Sequence, residues 1–249
     1  MADLPAAPAT GESGYESQGS VLIVFAKTPQ PGMVKTRMTP PLSPDQAAEL
    51  YTHMLDDVLE ASAQFGAVLG LEVVLALHPP DACPAFSARV PRNVRVVAQQ
   101  GLDLAERMSF AIMQAAASGA ARILVRGSDS PVLDCATIES ALAALDEADI
   151  AIAPDLDGGY GLIGVKAPAP MLFEHPMSTH TVLEETLESA RRSGLRCSVL
   201  EPRFDLDSVA DFRHLADARA TGCAELCPRT LAYLDAHALW GDSDHAEQS

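Results

Sequence analysis

The sequence predicts an α/β domain built on a mostly parallel sheet with helices on both faces. Three observations carry this. Apolar runs of strand length alternate with segments of helical periodicity. The 249 residues are 48% hydrophobic, enough for one sizeable core. Neither an internal repeat nor a linker breaks the alternation, so a single domain is expected over residues 20–239. Residues 1–19, rich in Ala, Pro, Gly, Ser and Glu, and residues 240–249 read as disordered tails.

Taken in order, residues 21–25 are an unbroken apolar run and read as a buried strand. Ser43-Pro44-Asp45-Gln46 combines a capping-box pattern with proline at the first helical position. Ala47, Leu50, Tyr51, Met54, Leu55 and Val58 keep helical spacing after it, and Gly66 is expected to end that helix. Residues 71–77 and 94–98 read as strands, 102–118 as a helix, 122–125 as a strand and 136–148 as a helix. Residues 150–153 and 160–165 are strands separated by an Asp/Gly turn. Thr181-Val182-Leu183-Glu184 opens a helix with a capping box, residues 195–200 return as a strand, and Ser208-Val209-Ala210-Asp211 starts the next helix similarly. Residues 228–239 close the domain.

Charge and cysteine usage narrow the function classes. A formal net charge of −17 argues against nucleic acid as a partner, because a backbone binder needs a basic face. Met1-Ala2-Asp3-Leu4-Pro5 lacks the basic and apolar regions of a signal peptide. No apolar run approaches the roughly 18 residues of a membrane span. Five scattered cysteines read as reduced thiols in a cytoplasmic protein, and Cys223 and Cys227 lack the second ligand pair of a zinc site.

Of seventeen basic residues only three are lysine, and two of those, Lys27 and Lys35, stand in Phe25-Ala26-Lys27-Thr28-Pro29-Gln30-Pro31-Gly32-Met33-Val34-Lys35-Thr36-Arg37. Where arginine serves most positions, a retained lysine marks a site wanting a compact point charge. The stretch follows the first strand, and cations on a loop at the C-terminal end of a parallel strand suit a phosphate-bearing ligand. With one glycine the loop is neither a P-loop nor a dinucleotide fingerprint, so Lys27, Lys35 and Arg37 would neutralise phosphate through side chains. A solvated basic loop is the plainer alternative.

Two acidic motifs also follow strands. In Gly127-Ser128-Asp129-Ser130-Pro131, Asp129 can coordinate Mg²⁺ or Mn²⁺, or simply terminate a turn. In Phe204-Asp205-Leu206-Asp207-Ser208, extended backbone puts Asp205 and Asp207 on one side; a cap on the next helix is the equal alternative for Asp207. Asp129 and Asp207 meeting at neighbouring strand ends would form a hard-oxygen site for a divalent cation on a diphosphate. Asp155-Leu156-Asp157-Gly158-Gly159-Tyr160 joins two apolar strands, and its glycines allow close backbone approach to a ligand or only a hairpin turn.

Together these segments resemble bacterial glycosyltransferase-like proteins with the GT-A nucleotide-diphospho-sugar transferase fold, a three-layer Rossmann-like architecture, some of them associated with radical-SAM genes or arsenosugar biosynthesis. The matching segments are Phe25-Ala26-Lys27 through Lys35-Thr36-Arg37, Gln100-Gly101-Leu102-Asp103-Leu104 with Glu106-Arg107-Met108, Gly127-Ser128-Asp129-Ser130-Pro131, Asp157-Gly158-Gly159-Tyr160, Ser178-Thr179 and Asp205-Leu206-Asp207, in that order over about residues 21–215. The resemblance implies that Lys27, Lys35, Arg37 and Arg107 contact the nucleotide, that Asp129 and Asp207 hold Mg²⁺ or Mn²⁺, and that Gly158, Gly159, Tyr160, Ser178 and Thr179 lie against donor sugar or acceptor. Asp157 is the candidate base. Met177 for the usual Trp, Ala105 for a usual Gly, and Arg126 ahead of the Gly-x-Asp motif depart from the pattern. The activity implied is a metal-dependent transferase joining a nucleotide-sugar to a small-molecule acceptor. The alternatives are nucleotidyl transfer to a phosphorylated small molecule with release of pyrophosphate, and a non-catalytic nucleotide-binding module. For the first, Lys35-Thr36-Arg37, Ser178-Thr179-His180 and Asp205-Leu206-Asp207 also resemble guanylyltransferases acting on phospholactate-like acids, while the glycine-poor loop counts against binding a full triphosphate.

Overall fold

The computed structural model describes residues 19–177 and 179–240. Its elements are β1 (Ser20–Lys27), α1 (Pro44–Leu69), β2 (Leu71–His78), α2 (Cys83–Ser87), β3 (Val94–Ala98), α3 (Leu104–Ala117) and β4 (Arg122–Gly127). There follow α4 (Cys135–Glu147), β5 (Ile150–Pro154), β6 (Tyr160–Val165), α5 (Val182–Arg192), β7 (Cys197–Val199), α6 (Phe212–Ala220) and α7 (Pro228–Ala236). The seven strands form one sheet in the order β3-β2-β1-β4-β6-β5-β7. All neighbouring pairs are parallel except β4 with β6 and β5 with β6. The reversal between β5 and β6 follows from length, since the five residues 155–159 that join them allow a hairpin but no crossover.

Alternation within β1 explains the three layers. Val21, Ile23 and Phe25 face a core shared with Met108 and Ile112 of α3, whereas Val24 and Ala26 face Leu55, Val58 and Leu59 of α1. Leu124 of β4 packs with Ile138 and Leu145 of α4 on the α1 side. A strand buried on both faces must be apolar throughout, as residues 21–25 are.

Ser43 and Gln46 close the expected capping box, with Pro44 at the first helical position. Gly66, however, does not end α1. The helix runs through it to Leu69 and stops at Gly70, which takes the left-handed conformation at φ 67°. A Cβ on Gly66 would lie 2.5 Å from Val73 Cγ2, so this glycine permits close helix-to-strand approach. Thr181 likewise makes no capping box with Glu184; its hydroxyl donates instead to Glu185 Oε1 at 2.8 Å. Before α6 the Asp211 carboxylate accepts from Ser208 N and Oγ at 2.7 and 2.9 Å.

The C-terminal region is tied down by a buried charge. Asp57 on α1 accepts from Thr230 N and Oγ1, each at 2.8 Å, and from Arg229 N at 3.2 Å, which satisfies orphan amides at the start of α7. Asp57→Ala leaves these donors without a partner and should cost about 2 kcal/mol, read as a lower urea midpoint at unchanged slope. The expected tails, apart from Gly19 and Trp240, fall outside the described residues. Trp240 Nε1 donates to Asp235 Oδ1 at 2.6 Å, so packed structure reaches that residue. Among the described residues no helix is long and apolar enough to cross a membrane.

Candidate active site at the carboxyl edge of the sheet

Parallel strands bring the loops after β1, β4 and β7 and the β5–β6 turn to one edge. Beyond β1, Val34 and Met38 turn inward as buried anchors, and Lys35 between them is carried in with them. Its backbone is left-handed (φ 48°, ψ 40°), a conformation that costs a non-glycine residue on the order of 1 kcal/mol and clusters at functional sites. The Lys35 side chain is 3% exposed, and its ammonium forms an ion pair with Asp129 and lies 3.8 Å from Asp207 Oδ1. Arg37, largely in solvent, donates to the other oxygen of Asp207 at 2.8 Å. Two cations from one loop thus bracket carboxylates from two others.

Backbone and side-chain bonds fix this meeting point. Leu206 N donates to Asp129 O at 2.9 Å, fastening the loop after β7 to the loop after β4. Tyr51 of α1 accepts from Lys27 N at 3.1 Å and shares a 2.7 Å hydrogen bond with Ser128 Oγ; the Lys35 ammonium lies 5.8 Å from its ring centre. Burial, reinforced by Asp129, pushes the Tyr51 phenol above its usual range, so it stays a neutral strut. Beneath the loop, the fully buried Arg126 donates to Ser130 O at 2.8 Å and Ser62 Oγ at 3.2 Å. Burial lowers its guanidinium to about 10, and Asp155 pulls the other way, so Arg126 remains charged at neutral pH.

Asp155, at the end of β5, is 9% exposed and its Oδ1 has no hydrogen-bond partner among the described residues. Burial, then the charges of Asp205, Asp157 and Asp129, pushes its carboxyl up to about 8. Burial and Asp157 raise Asp205 to about 6, against the pull of Lys35. Gly161 makes room for this group, since a Cβ there would meet Ser130 Oγ at 2.9 Å and both Asp155 oxygens at 3.1 Å. Five aspartates therefore share one electrostatic neighbourhood with Lys35.

The remaining candidates divide. Asp157 belongs to the acidic group, and its Oδ1 also accepts from Gly159 N at 2.8 Å within the turn. Gly158 has φ 92°, and a Cβ there would meet His180 O at 2.1 Å, so the close approach it permits is to the segment before α5. Burial raises the Tyr160 phenol to about 12. Thr179 bonds Thr181 Oγ1 at 3.0 Å, and Ser178 lies outside the described residues. Lys27 and Arg107 stand on the other side, where burial and their two charges lower the His78 imidazole. Arg107 also staples its own loop, donating to Gly101 O and Leu102 O at 3.2 Å.

Among the described residues no three carboxylate, thiolate or imidazole groups close around a metal position. The donors that do converge, Asp129 and Asp207, are hard oxygens already drawn to a cation, the Lys35 ammonium. That suits Mg²⁺ or Mn²⁺, which are held by one or two carboxylates together with substrate phosphates rather than by an all-protein cage.

The bacterial family described as uncharacterized proteins, DUF2064, matches residues 58–179. A solved structure from Desulfovibrio desulfuricans G20, assigned as a nucleotide-diphospho-sugar transferase, is 33% identical at a TM-score of 0.79, covering 89% of this chain and 96% of that one. The phosphoenolpyruvate guanylyltransferase of Rubrobacter xylanophilus is 30% identical over 213 residues, 83% of this chain and 98% of the relative. The chain belongs to the DUF2064 family. The same enzyme from Sphaerobacter thermophilus is 28% identical over 197 residues, 76% of this chain and 90% of the relative. The three-layer sheet of the DUF2064 chain is thus a nucleotide-diphospho-sugar transferase-like fold, and its relatives include enzymes.

Three residues of this site in the DUF2064 chain carry little functional mark in their sequence context. Asp155 looks like the first residue of a turn, Tyr51 like one more apolar position on α1, and Arg126 like an oddity of its motif. A signal existed for Asp155 alone, as an acid directly after a fully apolar strand that ends at Pro154.

Proposed function

We propose that this protein is a nucleotidylyltransferase that moves the nucleoside monophosphate of a triphosphate, guanosine by analogy with its relatives, onto a phosphorylated small acid such as phosphoenolpyruvate. One observation carries the reading. The chain aligns with nearly the full length of two phosphoenolpyruvate guanylyltransferases, and its lysine-bearing loop and acidic motifs meet at one sheet edge. An oxygen of the acceptor's phosphate attacks the α-phosphorus, the bond from that phosphorus to the bridging oxygen breaks, and pyrophosphate leaves. The acceptor phosphate is already ionised, so no protein base is needed. Asp129 and Asp207 would hold Mg²⁺ or Mn²⁺, with Asp205 beside them. When bound, that ion supplies charge neutralisation at the phosphates. Lys35 and Arg37 would offset charge growing on the departing pyrophosphate. The substrates and the thiol content suit the cytoplasm.

The identity to a protein assigned as a nucleotide-diphospho-sugar transferase favours a second reading, sugar transfer to a small acceptor. Products separate the two. With GTP, phosphoenolpyruvate and Mn²⁺ the first reading expects stoichiometric pyrophosphate. Nucleoside diphosphate released from a nucleotide-sugar, with no pyrophosphate from any triphosphate, would overturn it.

A further inference from the structure

We propose that Lys35 is a resident cation whose ammonium fills the position between Asp129 and Asp207 in the nucleotide-free protein, so that a divalent ion enters only as nucleotide phosphates draw the ammonium away. The inference rests on the nucleotidyl-transfer site above and adds a coupling between its two ligands.

Three observations place the ammonium there. It is paired with Asp129 and lies 3.8 Å from Asp207, the two carboxylates best placed to take a divalent ion. The side chain is 97% removed from solvent, yet Nζ has no well-directed hydrogen-bond acceptor among the described residues, so charge rather than directed bonding holds it. The backbone beneath it is left-handed at φ 48°, and persists only because the surrounding packing imposes it. A lysine serving phosphates alone would have no need to be buried against carboxylates before they arrive.

Two cations cannot share so small a space. Mn²⁺ must displace the ammonium from Asp129 and Asp207, and triphosphate oxygens offer it an alternative anionic partner within reach of the same flexible stem. By linkage, nucleotide must then tighten metal binding by the factor by which metal tightens nucleotide. The empty-handed enzyme would sequester little metal.

Mn²⁺ titration of the full chain, read by water-proton relaxation with and without an α,β-methylene guanosine triphosphate analogue, tests this. Lys35→Gln removes the charge, and Lys35→Gly removes it while relaxing the backbone, which guards against a folding defect. Without nucleotide both variants should bind Mn²⁺ at least ten-fold more tightly than the wild type, and the analogue should tighten Mn²⁺ far more in the wild type than in either variant. Equal or weaker Mn²⁺ binding by the nucleotide-free variants, with normal ternary binding by the wild type, overturns this inference and leaves the nucleotidyl-transfer reading intact. Absence of Mn²⁺ binding under every condition removes both.

Discussion

Asparagine at position 129 should lower kcat for pyrophosphate release by about 10²–10³-fold, the range seen when one charge-stabilising group is lost from a transition state. The substitution keeps shape, and the Asp129 carbonyl that receives Leu206 N is untouched, so circular dichroism and melting should change little. What is lost is the negative charge that faces Lys35 and, with Asp207, would hold the divalent ion. Asp157→Asn provides the contrast. Its side chain accepts from Gly159 N, a bond asparagine can keep, and nucleotidyl transfer to an ionised phosphate asks no base of it. Activity within a few-fold of wild type is therefore expected. A loss comparable to that of Asp129→Asn would show that Asp157 takes a proton from an acceptor hydroxyl, and would move the balance toward sugar transfer.

The layout of strands and helices was legible because period and composition report burial directly. Residues 21–25 must be apolar to sit between α1 and α3, and the Asp/Gly turn must be short, which makes β6 antiparallel. Gly66 misleads because a glycine that lets a helix lie against Val73 looks the same in sequence as one that ends a helix. At the site, Lys35, Arg37, Asp129 and Asp207 stood out through scarcity and position after strands. Their companions did not, for physical reasons. Tyr51 contributes a hydroxyl from a helical position that also packs, and its partner Ser128 is 77 residues away. Arg126 balances the acidic edge from inside the sheet, where a charged side chain directly follows the apolar run of residues 123–125. Asp155 is set apart by the enclosure that later elements build around it.

That enclosure makes folding stability depend on pH in a direction opposite to the usual carboxylate. Asp155 titrates near 3.8 in the unfolded chain and at about 8 when folded, so the folded protein holds a proton that the unfolded chain has released. The stabilisation this proton confers is complete below pH 4 and is lost as pH rises toward 8. The slope approaches about 1.4 kcal/mol per pH unit, or about 4 kcal/mol between pH 5 and pH 8. Asp205, raised to about 6, acts in the same direction at the acid end of that window. Urea melts of protein stripped of metal with EDTA should accordingly show the midpoint falling steadily from pH 5 to pH 8. Asp155→Asn, which keeps the volume and cannot ionise, should flatten most of that decline and be the more stable protein at pH 8. A wild-type midpoint that rises over this interval would mean that Asp155 is ionised in the folded state, its charge met by Arg126 from below rather than relieved by a proton.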